Sequence, residues 1–321
     1  MKFVQPAMFA IVCFGVFNFA ASAQSATWNG GTGQWNKTPT NWTCSYGPCG
    51  PPNGSAWSAL IGSGNVNSGT PVNSGLIAVS GAGTLTMNDT SLSVNQLNVG
   101  AGGGQGIVNI MNGATVGNDG NLSSQIQIGA GAGTTGTMTV SGSSVVMNAV
   151  GIGTGGTGTM SLDNSTLTTG FLTIGSRGKL AVGANTTVEA ETGFTLQGGE
   201  LSFMLDSASE YGTFSSNHGT FDGTIDFDFS DGFAPTAGES FALITASGGG
   251  DFSGASYQVD GLESGFQYSI QDEPYGLTLV ALDNGISTTI TSAAPEPGGF
   301  WLMLAAGVTL FVVKVQRHKQ A

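Results

Sequence analysis

The chain is poor in charged residues, and in basic residues above all. Only 8% of its 321 residues are charged, Lys and Arg together number 7, and the formal net charge is −13. Such a surface cannot neutralise phosphates, so we expect neither nucleic acid nor anionic lipid as a partner. With two histidines and three cysteines the chain also lacks the ligand sets of zinc enzymes, which excludes zinc catalysis.

Helical periodicity is missing from the chain between its two ends. Glycine supplies 54 residues, far above the average of about 7%, but no strict three-residue period of the collagen type is present. Val, Ile, Leu and Phe recur between the glycines, so a disordered chain is not expected. Glycine turns that alternate with β-branched residues predict an all-β protein of many short strands.

Charge is divided unevenly along the sequence. Residues 24–188 contain three carboxylates and three basic residues, whereas residues 189–297 contain the other 17 of the 20 carboxylates and no Lys or Arg. A solubilising surface explains this acidic block most simply. Affinity for divalent cations is the alternative.

An internal repeat occupies residues 61–190. Four copies of a short apolar motif end in glycine, at Gly100, Gly129, Gly153 and Gly175. These glycines are 29, 24 and 22 residues apart. Each motif is followed by a second alternating segment and then by a short third one. The second segments are Ile107–Ile110, Thr137–Val140, Thr159–Leu162 and Lys179–Val182, and the third begin at Thr115, Ser144, Thr166 and Thr187. This pattern predicts a right-handed parallel β-helix; an antiparallel sandwich is the alternative.

Two segments flank the repeat. Residues 24–60 contain four of the five tryptophans, which we interpret as a core plug, with a carbohydrate-stacking platform as the alternative; the tryptophans are Trp28, Trp35, Trp42 and Trp57. Residues 191–285 are acidic and rich in β-branched and aromatic residues. Both segments resemble the caps of autotransporter-like repeat proteins. That resemblance implies that they close the two ends of a β-helix and cover its exposed edges.

Three aspartates in the closing segment are the best candidate for a site. Asp222, Asp226 and Asp228 lie on one face of a strictly alternating strand, Phe221–Phe229, whose other face is apolar. Carboxylates on one face repel each other unless they are solvated or bridged by a cation. A solvated face is the preferred interpretation and a calcium site the alternative; no other cofactor is indicated.

Catalytic constellations are not apparent in the sequence, and we expect a protein that is not an enzyme. A Ser-His-Asp arrangement would have to use His218 with Asp222, without a nucleophile-elbow phrase. A polysaccharide lyase would need clustered carboxylates and a base, for which the repeat offers only Arg177. A polysaccharide-active β-helix enzyme remains the alternative.

The N-terminus reads as an export signal. Residues 1–23 combine Lys2, an apolar core and the Ala-Ser-Ala pattern at residues 21–23, which indicates a cleaved signal peptide. After export, Cys44 and Cys49 are expected to form a disulfide. A metal site there is the alternative, although no histidine lies nearby.

The C-terminus combines a proline motif, an apolar run and a basic end. After a linker at 286–294, residues 295–321 contain the triplet Pro295, Glu296 and Pro297 and then an apolar segment that can cross a membrane as a helix. The segment includes Phe300, Trp301, Leu304, Leu310 and Phe311, and Lys314 and Arg317 follow it.

This order resembles the PEP-CTERM sorting tail of exported bacterial proteins. The resemblance implies passage through the inner membrane, processing by an exosortase-type enzyme and a final place in the cell envelope or extracellular matrix. We therefore expect an exported structural or adhesive protein that associates with exopolysaccharide and is anchored by the tail or released after processing.

Overall fold

The computed structural model describes residues 24–37, 39–44, 50–118, 123–230, 233–262 and 266–283. Within them the protein consists of β-strands and one short 3-10 turn at Pro39–Asn41, so the all-β prediction is confirmed. The described residues include no helix that is long and apolar enough to span a membrane. The predicted signal peptide, linker and sorting tail, with Pro295, Glu296 and Pro297 and the apolar segment, lie outside the described residues.

Twenty-one strands make up the described part of the chain. In chain order they are β1 Gln24–Trp28, β2 Thr32–Gln34, β3 Trp42–Cys44, β4 Gly54–Ser68, β5 Val72–Asn88, β6 Ser91–Met111, β7 Thr115–Gly117, β8 Gln125–Ile128, β9 Thr135–Ser141, β10 Ser144–Ile152, β11 Thr157–Asp163, β12 Thr166–Ile174, β13 Gly178–Val182, β14 Thr187–Leu205, β15 Thr213–Ser216, β16 Gly219–Phe229, β17 Ser240–Ala246, β18 Gly250–Asp251, β19 Ser256–Asp260, β20 Tyr268–Glu273 and β21 Gly276–Ala281.

The repeat copies pair in parallel and in the register that the sequence predicts. Leu97 pairs with Ile126, Ile126 with Val150, and Val150 with Leu172. The second segments align in the same way, from β6 through β9 and β11 to β13, and so do the third, from β7 through β10 and β12 to β14. Equivalent residues of successive repeats are therefore neighbours across parallel ladders.

Eight of these strands form a closed parallel ring. The pairing runs from β6 through β8, β10, β12, β14, β13, β11 and β9 back to β6. The ring closes because β6 and β14 are long strands that each take part in two ladders. Parallel pairing is thus established, while the right-handed solenoidal course stays a prediction.

The core consists of columns of apolar side chains that run from strand to strand. Along one column Leu85, Val108, Met138, Met160 and Leu180 are each fully buried, and each pairs with the next. Their chain neighbours on either side are mostly polar and point outward, because side chains alternate along a strand. A single repeat cannot bury its apolar face alone, so the stacking itself provides the core.

Left-handed backbone conformations recur at one corner of the repeats. Asp89, Asn112, Asn164 and Asn185 have φ values of 51°, 57°, 49° and 51°. Asn and Asp tolerate this conformation better than other residues with side chains. At the glycine that ends the repeated motif the requirement is stricter. A methyl group on Gly129, where φ is 63°, would lie 2.1 Å from the carbonyl oxygen of Thr157, so only glycine fits.

Three tryptophans close the N-terminal end. Strand β1 pairs in parallel with β4 and antiparallel with β3, so both of its edges are covered. Trp28, Trp35 and Trp42 are buried, and Trp42 makes edge-to-face contacts with the other two at centroid distances of 5.1 and 4.9 Å. These rings form the core plug predicted from the sequence. Trp57 is only partly buried against the same core.

Parallel pairing continues beyond residue 190, where the repeat was predicted to end. Strand β14 pairs with β15 and β16, and β16 pairs with β18 and β19, all in parallel. The repeated motif is lost here, but the inward positions stay apolar, with Phe203, Phe221 and Phe227 in place of aliphatic residues. Apart from an isolated antiparallel bridge between Leu205 and Tyr211, antiparallel pairing in the described part of this segment begins with β21, which pairs with β17 and β20.

Candidate functional site

The outward face of β13, β14, β16 and β19 brings five charged residues close together. Lys179 pairs in register with Glu200, Ser202 with Asp226, and Asp228 with Asp260. We call Lys179, Glu200, Asp226, Asp228 and Asp260 the acidic face. Because like charges directly opposite each other destabilise a sheet, the Asp228–Asp260 pair needs water or a cation between its carboxylates.

Asp226 is the unusual member of the acidic face because it is buried. Its side chain is 7% exposed, Oδ2 accepts a hydrogen bond from Ser202 Oγ at 3.3 Å, and Oδ1 has no hydrogen-bond partner among the described residues. Burial, followed by the charges of Asp260 and Glu200, raises the pKa of Asp226 to about 6, although Lys179 opposes the shift. The carboxyl group therefore exchanges protons near neutral pH.

Lys179 and Glu200 form an ion pair on the same face. Lys179 Nζ lies 2.6 Å from Glu200 Oε1, and both side chains are partly exposed. Burial lowers the pKa of Lys179, but the hydrogen bond and the charge of Glu200 outweigh it, so the net shift is upward. Among the described residues this is the ion pair that the structure shows, and its exposure limits its contribution to stability.

The three predicted calcium ligands do not lie together. Asp222 is exposed and packs against Gly254, where a methyl group would lie 2.7 Å from its Oδ1. A register irregularity in the β14–β16 ladder lies between Asp222 and Asp226, which pair with Gln197 and Ser202 of β14. No group of three or more His, Cys, Asp or Glu in the described ranges is arranged to hold a metal. Calcium stays a prediction, now limited to Asp226, Asp228 and their neighbours.

The remaining predicted site residues are placed as follows. Cys44 is disulfide-bonded, and its expected partner Cys49 lies outside the described residues. His218 is exposed immediately before β16, and among the described residues no hydrogen bond joins it to Asp222. Arg177 is also exposed.

Sequence reasoning missed a cavity at the C-terminal end of the fold. It has a volume of about 230 Å³ and lies between β19 and β20; we call it the end cavity. Tyr257 Oη donates a hydrogen bond to Asp272 Oδ2 at 3.2 Å across it. The lining residues are Phe252, Ser253, Ala255, Tyr257, Tyr268, Ile270 and Asp272. The only signal in the sequence was the rise in aromatic and acidic residues after residue 190.

A more open groove follows the stacked corners of the repeats. Its volume is about 270 Å³, and it is lined by small polar residues including Ser143, Asn164, Ser165 and Asn185. Ser165 Oγ donates to the carbonyl oxygen of Asp163 at 2.6 Å, so this hydroxyl is already used to hold the turn. The groove therefore offers few free polar groups to a ligand.

Comparison with protein families and with curated proteins finds no match for this chain.

Proposed function

We propose that this is an exported, non-catalytic protein of the cell surface or extracellular matrix that associates with exopolysaccharide. The observation that supports this best is a column of uncharged polar side chains on the outside of the ladders. Asn67, Thr86, Asn109, Thr139 and Ser161 are direct neighbours in successive parallel pairs. Paired strands lie about 4.8 Å apart, so donors and acceptors recur at a short, constant interval.

Such a column suits a hydroxyl-rich polymer. Asn and Thr both donate and accept hydrogen bonds, and the column carries no charge that would have to be desolvated. Binding strength would then come from many weak contacts along the column, not from one deep pocket. The mechanism is presentation of a long, chemically inert surface.

We further propose that the parallel ladders form a right-handed β-helix. Three aligned sets of strands each advance by one repeat per step, which a coil produces and which places equivalent residues one above the other. Parallel connections within a sheet are right-handed in almost all proteins, which supports the hand. On this interpretation the ring of eight strands arises because β6 and β14 continue around a bend of the coil.

Delivery to the surface is proposed to depend on the C-terminal tail. The Pro295-Glu296-Pro297 motif, the apolar segment and the basic end support sorting through the inner membrane and processing by an exosortase-type enzyme. Intact mass and fractionation of the native protein test this. A mature mass that ends near Pro297, with the protein in the exopolysaccharide fraction, is expected. A soluble periplasmic protein that ends at Ala321 would contradict both delivery and association.

A polysaccharide-active enzyme is the second candidate. It is favoured by one observation: Asp226 is a buried carboxyl with a raised pKa, beside other carboxylates, as an acid catalyst requires. Purified protein would be incubated with neutral and acidic polysaccharides, and new reducing or unsaturated ends would be measured. Ends that appear with the wild type and vanish in Asp226→Asn or Arg177→Ala would overturn the non-catalytic proposal.

A further inference from the structure

The end cavity lies where the next repeat of the ladder would be. Tyr257 and Val259 of β19 pair with Ile225 and Phe227. Ile225 and Phe227 are fully buried, whereas Tyr257 and Val259 remain partly exposed. Among the described residues β19 pairs with β16 alone. The β20–β21 hairpin covers this end without pairing with β19 and leaves the cavity between them.

Two of the aromatic side chains that line the cavity each lie beside a second aromatic ring. The Tyr257 ring is nearly parallel to that of Phe227, at 6.5 Å and 18°, and the Tyr268 ring is nearly parallel to that of Phe266, at 6.2 Å and 20°. Each tyrosine ring thus has an aromatic neighbour in a near-parallel orientation. Tyrosine rings favour a ligand with a flat apolar surface, since little conformational entropy is lost on binding.

The polar part of the cavity is acidic. Asp272 lines it, Asp251 accepts a hydrogen bond from the backbone N–H of Ser253 at 3.0 Å, and Asp222 packs against Gly254 beside it. Residues 189–297 contain no Lys or Arg. Lys179 of the acidic face is already paired with Glu200. Anionic ligands are therefore repelled, and a cation above an aromatic ring is attracted both by the carboxylates and by the ring face.

We propose that the end cavity binds an amino-sugar unit, that is, a pyranose ring with a free ammonium group. The C–H face of the ring would pack on the tyrosines, the ammonium group would meet Asp272, and ring hydroxyls would meet Ser253. At about 230 Å³ the cavity holds one sugar ring and is smaller than sites for drug-sized ligands. The inference rests on the proposed association with exopolysaccharide and narrows it to polymers that carry amino sugars.

The test is calorimetric titration of the full-length protein with a tetramer of glucosamine at pH 6. We expect millimolar to micromolar binding that weakens as NaCl is raised, because the attraction is partly ionic. Asp272→Asn should weaken it about tenfold or more, and Tyr257→Leu should abolish it. Tyr257→Phe removes only the hydroxyl and serves as the variant least disturbing to the fold. Glu273→Gln and Tyr275→Leu, neighbours outside the cavity, are the matched controls and should leave affinity within about twofold.

Titrations with other ligands test each part of the proposal separately. Equal affinity for the N-acetylated tetramer would overturn the role of the ammonium group, and equal affinity for tetralysine would overturn the choice of a sugar. No binding of any amine at millimolar concentration would overturn the site. If the native protein still fractionates with exopolysaccharide in that case, only the cavity assignment fails. If it does not fractionate there but binds glucosamine, the proposed association fails and the cavity stands.

Discussion

The repeat at residues 61–190 and the segment at residues 191–283 use the same parallel pairing but differ in what fills and covers it. The first has aliphatic columns inside, uncharged polar columns outside and a glycine turn that recurs every 22 to 29 residues. The second has phenylalanines inside, carboxylates outside and irregular connections. Both bury most of their inward residues completely. The outward residues are therefore free to vary, and they differ in the two regions.

The difference suggests a division of labour. The repeat at residues 61–190 offers a long surface of repeated weak contacts, while the segment at residues 191–283 contains a buried carboxyl group and a cavity. The ion pair of Lys179 and Glu200 joins the two regions. Within the regular ladder each repeat covers the inward face of the one before it, and the groove there follows only the outer corners. Where the ladder stops, at β19, the inward-facing side chains of Tyr257 and Val259 are left partly exposed.

Removal of a repeat gives the largest expected effects. Deletion of residues 143–164 joins Gly142 to Ser165, which takes the place of its equivalent Ser143, so β8 and β9 can pair with β12 and β13 in the register that β10 and β11 used. We expect a folded protein with a cooperative thermal transition and a maximum dimension about 5 Å shorter by small-angle scattering. Deletion of residues 143–153, half a repeat, should abolish folding, because inward and outward positions no longer match.

The outcome also separates two interpretations of the eight-strand ring. A coil tolerates the loss of one turn, whereas a closed barrel that loses two of its eight strands cannot close with the same geometry. Loss of cooperative unfolding in the full-repeat deletion would contradict the proposed β-helix. Deletion of residues 165–185, which joins Asn164 to Thr186 and keeps the register of the next repeat, provides an independent repeat of the experiment.

Truncation of a core phenylalanine should cost more than truncation of an exposed one. Phe227 is fully buried, so Phe227→Ala leaves a cavity and should lower the free energy of unfolding by about 3–5 kcal/mol. Phe171, which is 45% exposed in the repeat at residues 61–190, should cost less than about 1 kcal/mol as Phe171→Ala. Urea denaturation of both variants measures this, and similar losses would contradict the burial pattern.

Neutralisation of Asp226 should stabilise the protein at neutral pH. Its pKa is raised to about 6, so the folded state prefers the protonated form. Ionised Asp226 therefore costs stability above about pH 6, and this cost disappears as the pH falls below about 4, the unfolded value. Asp226→Asn should raise stability at pH 7 by about 1–3 kcal/mol and flatten its pH dependence between pH 4 and 6.

Asp222→Asn is the matched control for Asp226, because Asp222 lies on the same strand but is exposed. Asp222→Asn should change the free energy of unfolding by less than about 0.5 kcal/mol at both pH 4.5 and pH 7. Denaturant midpoints at pH 4.5 and pH 7 measure both variants. A loss of stability in Asp226→Asn at pH 7 would mean that the ionised carboxylate is paired with a group or ion that holds it in place.

Calcium should give the smallest effect. Since no three carboxylates of the described residues are grouped to hold a metal ion, we expect millimolar calcium to shift the melting temperature at pH 7 by less than about 1 °C. A larger, saturable rise that disappears in Asp226→Asn or Asp228→Asn would establish a calcium site on the acidic face. An equal rise in melting temperature in both variants would mean that calcium binds outside the acidic face.

The repeat was predictable because short sequence patterns determine the register of its strands. Each glycine motif marks the same corner, and each alternating segment has its apolar residues on one face, so Leu97, Ile126, Val150 and Leu172 could be aligned before any pairing was known. The tryptophan plug was predictable for a similar reason, since glycines and a proline exclude a helical stripe. The continuation of the ladder past residue 190 was not predicted, because irregular connections hide the inward positions that β14, β16 and β19 share.

The properties of the candidate site residues were less predictable from the sequence. Alternation placed Asp226 outward, and it is outward, but burial of that position depends on neighbouring strands, which sequence spacing does not reveal. Asp222 was grouped with it by the same alternation, although a register irregularity in the ladder lies between them. Tyr257 and Asp272 are 15 residues apart and meet only because the hairpin folds back over the last ladder strand.

By itself, the sequence determined the all-β class, the parallel register of the repeats and the uneven charge, since these depend on the residue type at each position and on fixed spacings. Only the tertiary structure decided which carboxylate is buried, which predicted ligands are separated and where a cavity opens. Those features depend on how the ladder ends. An end has no repeated neighbour in the sequence, so no periodic pattern encodes it.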